Sequence, residues 1–128
     1  MKTSKVHMDS LHMDHRLWNT QLKFYQDELT IFTDWLGKVS AANTDPTIKV
    51  KVEQFQNRIL LQNQAIEKLV KQIRSHESHL ADEAKQNTVA SDHLRFDDHT
   101  AMRNEMNATN SIQETLKHEF NRFVADNF

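Results

Sequence analysis

From Met8 to Val39 the chain repeats large apolar side chains at alternating steps of three and four residues: Met8, Leu11, His15, Trp18, Leu22, Tyr25, Leu29, Phe32, Leu36 and Val39. Nine of these ten positions are apolar or aromatic, whereas only 38% of the whole chain is hydrophobic. A seam of this period, held for over four heptads, is the signature of a long helix packed along one face in coiled-coil fashion. Its only polar member is His15. The same spacing returns through Ile48, Val52, Phe55, Ile59, Gln62, Ile66, Leu69, Ile73, His76 and Leu80, with Gln62 and His76 as the two exceptions.

Between these seams lies Ala41-Ala42-Asn43-Thr44-Asp45-Pro46. The Asp45 carboxylate suits an N-cap, and Pro46 suits a first helical position, where its missing N–H would have had no intrahelical partner. A loop of about five residues forces the first two helices to be antiparallel neighbours. Gly37 stands one step off the first seam and is expected to weaken the last turns of that helix rather than end it.

Past Leu80 the second register runs through Glu83, Asn87, Ala90, Leu94, Asp97, Ala101, Asn104 and Ala108, which include one large apolar residue. A new seam in another phase runs through Met102, Met106, Ile112, Leu116, Phe120 and Phe123. We therefore expect a turn between about Ala81 and Asp92, with Asn87, Thr88, Ser91 and Asp92 as candidate caps. The expected fold is all-α: an antiparallel up-down-up bundle of three long helices, about 8–40, 46–82 and 92–126, in one domain over 1–128. One glycine and one proline among 128 residues leave too few turn formers for a strand-rich or doubly wound fold.

Composition also limits the chemistry. No cysteine is present, which removes disulfides, thiolate zinc sites, iron–sulfur clusters and a cysteine nucleophile. Lys and Arg number 16 against 18 Asp and Glu, a net charge of -2 with the signs interspersed, so no basic face suggests nucleic acid. The stretch Met1-Lys2-Thr3-Ser4-Lys5-Val6-His7 lacks the apolar run of a secretory signal, and no 18-residue apolar stretch suits a membrane; a cytoplasmic setting is the expectation. The only glycine is Gly37, so there is no phosphate-cradling loop and no Gly-x-Ser-x-Gly elbow, and enzymatic activity is not expected.

The first helix carries a second apolar stripe, Leu17, Phe24, Ile31 and Trp35, roughly 100 to 140 degrees round from the seam. Two readings stand. Either this helix is wedged between the others and both stripes are core, or the stripe buries itself in a partner, most simply a second copy of the chain in a twofold dimer, or otherwise another protein. Near the C-terminus, Phe120 and Phe123 fit the core, Phe128 is expected to fray, and Lys117 with Asn121 beside Glu119 reads as a solvated face.

Seven of the eight histidines fall at one end of such a bundle: His7, His12 and His15 on the first helix, His76 and His79 on the second, His93 and His99 on the third. Asp9-x-x-His12-x-x-His15 runs up the first helix, and His76-x-x-His79-x-x-Asp82 runs down the second. Residues three apart on a helix are surface neighbours. One reading is a transition-metal site, for zinc or iron, with His15, His76 and His99 as inner ligands, Glu77, Asp98 or Glu105 supplying oxygen, and His12 and His79 in secondary positions. The opposing reading makes His15 and His76 a polar layer that sets helix register. A third gives the cluster a pH response, since grouped histidines charge together below about pH 6.5. Neither Glu-x-x-His nor His-Glu-x-x-His occurs. The expected function is a helical-bundle module for self-association or protein docking, with metal binding or metal sensing as the alternative.

Overall fold

The computed structural model describes the backbone of residues 2–86 and 89–128 and the side chains of residues 9–82 and 99–128. Three helices make up the fold: α1, Lys2–Ala42; α2, Pro46–Gln86; and α3, Val89–Asn127. Each packs against both others, giving an all-α, three-helix bundle with no strand among the described residues. At 41, 41 and 39 residues the helices reach about 60 Å, several residues longer than the spacing suggested. α2 runs on to Gln86 and α3 starts at Val89, so the second connection is shorter than the Ala81 to Asp92 window. Of the proposed caps, Ser91 and Asp92 lie within α3, whereas Asn87 and Thr88 fall outside the described residues.

Asp45 caps α2 as its position demands. Its carboxylate accepts the Thr47 N–H at 2.9 Å and the Thr47 hydroxyl at 2.8 Å, and its carbonyl accepts the amides of Ile48 and Lys49, both at 3.1 Å. Those bonds, backbone first, hold the carboxyl below the usual aspartate range. On the other side of the loop, the Asn43 amide donates to the carbonyl of Val39 and to that of Asn127, both at 2.9 Å. One side chain thus ends α1 and ties it to the last turn of α3.

The seams meet along the bundle axis. Leu22, Leu29, Leu36, Ile66, Leu69, Ile73 and Leu116 are among the most deeply buried side chains, and Phe32, Phe55, Phe120 and Phe123 stack into one aromatic group near the Asn43 end. The third seam differs from its expected course at one place. Ile112 is 52% exposed, and Thr109 and Gln113 are buried in its stead. The steps of three and four pass through those two polar residues because α2 supplies a polar partner at the same level. The Gln62 amide donates to the Thr109 carbonyl at 3.1 Å and to Gln113 Oε1 at 3.0 Å. Gln113 in turn donates to the Tyr25 carbonyl at 3.3 Å and to Glu28 Oε1 at 3.2 Å, and Lys117 closes the network on Glu28 at 2.7 Å. A fully partnered polar layer therefore interrupts the core, as buried polar groups must be to avoid a desolvation penalty. Glu119 is exposed and pairs with Arg58 across α2 and α3 on the solvated face.

The second stripe on α1 is not core. Leu17, Phe24 and Ile31 are each more than half exposed, which excludes the wedged-helix reading. Trp35 is partly covered, with the Phe128 ring edge-on at 5.3 Å and the Lys38 ammonium 4.3 Å from its ring centroid. Phe128 is thus packed against α1, although largely exposed. No helix is long and apolar enough to cross a membrane among the described residues.

Candidate metal centre

One heptad position of the bundle, next to the apolar layer of Trp18, Ile73 and Met102, carries histidine on all three helices. His15, His76 and His99 are 1%, 5% and 1% exposed, and their rings pack with centroids 4.9, 5.0 and 5.8 Å apart. One nitrogen from each ring faces the others: His15 Nε2 lies 3.0 Å from His76 Nδ1 and 3.2 Å from His99 Nδ1. The three ligand atoms lie within 4.8 Å of one another. Two imidazole nitrogens bound to one ion at about 2.0–2.1 Å stand about 2.9 Å apart at a right angle and about 3.3 Å at a tetrahedral one. The two distances to His15 fall in this interval.

Carboxylates decide which nitrogens face inward. Glu77 Oε1 takes the His15 Nδ1–H in a short contact, and Glu77 Oε2 takes the His12 Nδ1–H at 2.7 Å. On the α3 side, Asp14 Oδ2 takes the His99 Nε2–H at 2.9 Å and an Arg103 guanidinium N–H at 3.0 Å. A ring that donates from its outer nitrogen carries, when neutral, a lone pair on its inner one. His15 Nε2 and His99 Nδ1 therefore point lone pairs at each other across 3.2 Å. A neutral His76 that donates its Nδ1–H to His15 Nε2 at 3.0 Å satisfies one of these lone pairs, and a cation shared by the rings, either a proton or a metal ion, satisfies both. Burial, the largest influence on His99, holds its pKa below the usual histidine value despite the opposing Asp14 contact. A proton on this ring is thus disfavoured near neutral pH.

The carboxylates themselves stay ionised. Burial alone pushes the Asp14 carboxyl up, but the hydrogen bonds and charges of His99 and Arg103 outweigh it and leave the pKa lowered. Glu77 is lowered in the same way, with burial opposed by His15 and His12. Glu77 and Asp14 place negative charge directly behind His15 and His99, Asp14 sharing its own with the Arg103 guanidinium, and carboxylates of this kind both orient imidazole and raise its basicity. Trp18 completes the wall, its ring stacked on His99 at 4.7 Å with 20° between planes.

Of the residues expected from sequence, His15, His76 and His99 are brought together. Glu77 adjoins the cluster but meets the outward nitrogen of His15, so it stands behind that ring and does not face the inner nitrogens. His12 shares that carboxylate from the exposed rim. His79 and Glu105 are exposed and line a groove beside His76. His7, His93 and Asp98 have side chains outside the described residues, and His118 is remote, 3.8 Å from Glu114 on an exposed turn. Asp14 and Arg103 were not foreseen from the sequence, and Trp18 was placed only as a seam residue. The signal available for Asp14 was its position one residue before His15, which turns it by about 100° toward the neighbouring helix.

The chain matches no family model, no curated protein and no solved structure. The molecule is thus defined by its own fold and site: a three-helix bundle with a buried layer of three histidines braced by two carboxylates.

Proposed function

We propose that this protein is a metal-binding bundle in which His15, His76 and His99 hold one divalent transition ion. The observation that supports this reading is the pair of inner nitrogens, His15 Nε2 and His99 Nδ1, left bearing lone pairs at 3.2 Å by the carboxylates behind them. A ligand set of three neutral imidazoles without thiolate suits zinc or ferrous iron. Each ligand comes from a different helix, so the ion acts as a clamp on the tertiary fold. A clamp of this kind is suited to sensing or storing a metal.

The test is the metal content of untagged protein prepared without chelators and without a nickel column, followed by zinc titration. One equivalent bound, with a melting temperature that rises on zinc addition, is the expected result, because an ion that binds only the folded chain must stabilise it. A protein that stays metal-free after zinc and iron challenge, or a His15→Ala, His76→Ala variant that responds to zinc as the parent does, overturns the reading.

A second reading rests on a separate observation, the exposed stripe of Leu17, Phe24 and Ile31, spaced by whole heptads and continued by Trp35. We propose that a second copy of the chain covers it, with the two α1 helices antiparallel. Arg16 and Lys23 flank the first half of the stripe and Asp27 and Asp34 the second, all exposed. Antiparallel pairing about Phe24 sets unlike charges opposite each other across a twofold axis. Sedimentation should return a dimer for the parent and a monomer of unchanged helicity for Phe24→Asp, since that side chain touches solvent. A parent that sediments as a monomer at micromolar concentration refutes it.

A further inference from the structure

The apolar face that α1 leaves uncovered is symmetric about one residue. Among the described residues, its exposed large apolar side chains are Met13, Leu17, Phe24, Ile31 and Trp35. At about 100° per residue all five fall within an arc of about 40°. Leu17 and Ile31 stand seven residues to either side of Phe24, and Met13 and Trp35 stand eleven. A twofold axis through Phe24, at right angles to two antiparallel helices, brings each residue before Phe24 beside the one equally far after it in the other copy. Every apolar rung then meets an apolar rung: Phe24 meets itself, Leu17 meets Ile31, and Met13 meets Trp35.

The charges along one edge of this face follow the opposite rule. Asp9, Arg16 and Lys23 precede Phe24 by fifteen, eight and one residues, and Lys38, Asp34 and Asp27 follow it by fourteen, ten and three. All six are exposed. The same axis sets each of them within two residues of an unlike charge: Asp9 by Lys38, Arg16 by Asp34 and Lys23 by Asp27. In a parallel pair each would face its own like. Helical periodicity accounts for the apolar stripe, but it does not require the charges to change sign on inversion about Phe24.

Resting on the second-copy reading above, we infer that α1 recognises another α1 in a single register, with Phe24 on the twofold axis and with Met13 of one copy against Trp35 of the other closing each end. Trp35 is prepared for that contact, since Lys38 and Phe128 already hold its ring, and a thioether packs favourably on an aromatic edge. The paired face is about 33 Å long. His15 precedes Phe24 by nine residues, so the two histidine layers stand about 27 Å apart along the pair. Each copy keeps its own layer.

The experiment is sedimentation equilibrium of the full chain and of variants at exposed positions, which leave the core intact. Arg16→Glu places two like-charged pairs in the dimer and should weaken association about three- to thirtyfold. Adding Asp34→Arg to the same chain re-creates both pairs with their signs exchanged and should restore the parent affinity. Adding Asp27→Arg in its place should weaken association further. Residues 16 and 34 are about 27 Å apart on one helix, so rescue has to come from the other copy. Because the chain has no cysteine, single cysteines report the register independently. Met13→Cys mixed with Trp35→Cys, joined by a short bis-maleimide, should give the mixed product in excess over either self-linked one. A parent that stays monomeric defeats the second-copy reading itself. A dimer in which Asp34→Arg fails to rescue Arg16→Glu, or in which Met13→Cys links chiefly to itself, overturns this register alone.

Discussion

Trp18 lies flat against His99, with ring centroids 4.7 Å apart and planes at 20°. An indole stacked on one of the three proposed ligands would report an ion bound there, whereas the other tryptophan, Trp35, sits on the outer stripe beside Lys38 and Phe128. Cobalt(II) should therefore quench the tryptophan emission of the parent. Most of that response should disappear in Trp18→Phe and remain in Trp35→Phe, as measured by stoichiometric titration.

The carboxylates that hold the ligand rings should matter nearly as much as the rings. Replacing Glu77 by Gln leaves an amide that no longer carries charge behind His15, and outer partners of this kind are typically worth 10- to 100-fold in metal affinity. Isothermal titration with zinc should show a loss in that range for Glu77→Gln and for Asp14→Asn. His12→Ala, which removes only the exposed second donor to Glu77, should cost a few-fold at most.

The metal-free protein should lose stability in mild acid. His99 has a pKa below its ordinary value of 6.5 in the fold, chiefly from burial, so between its folded value and 6.5 the unfolded chain binds the additional proton. Stability from this group is complete above 6.5 and is lost as pH falls through the folded value. Asp14 and Glu77 are lowered from 3.8 and 4.5. Their contribution is present above those values and disappears further down, as pH falls through the folded ones. Urea midpoints between pH 8 and pH 3 should decline from about 6.5 downward, and a flat profile to pH 5 would contradict the buried, neutral state of His99.

In the central polar layer, Gln113→Leu strips donors from the Tyr25 carbonyl and Glu28 and an acceptor from Gln62. The cost should be about 1–3 kcal/mol, the penalty for leaving buried polar groups short of partners. Because Gln62 and Gln113 share one bond, the Gln62→Leu, Gln113→Leu pair should cost less than the sum of its members, by about 0.5–1.5 kcal/mol in a double-mutant cycle. Strict additivity would mean that the two amides do not interact.

Gly37 lies inside α1, and a methyl group added there meets nothing within 4 Å. Gly37→Ala should therefore raise stability by about 0.5–1 kcal/mol, the difference in backbone freedom between the two residues in a helix. Thermal unfolding followed by circular dichroism measures it directly, and a lower melting temperature would show that the glycine serves a contact outside the single chain.

The architecture was legible in the chain because helical periodicity is local. A side chain's place on a helix follows from counting at 100° per residue, so the two long seams, the Asp45 cap and the single short first loop follow from spacing alone. The same counting put His15 and His76 on the buried face and, with an up-down-up topology, set His99 at their end of the bundle. It failed at Ile112, where it favoured the large apolar residue over Thr109 and Gln113. Whether a polar position is buried depends on what faces it from another helix, and Gln62 is 51 residues away from Gln113.

Sequence alone determined three long helices, their antiparallel order and a concentration of histidines at one end, since each depends on residue spacing along one chain. Only the tertiary structure decided that Glu77 stands behind His15, that Asp14 and Arg103 brace His99, and that the inner nitrogens converge. The direction in which an imidazole presents its lone pair is set by the group that takes its other proton, and those groups sit 62 and 85 residues distant in sequence. The three chain segments had to be brought side by side before that direction existed.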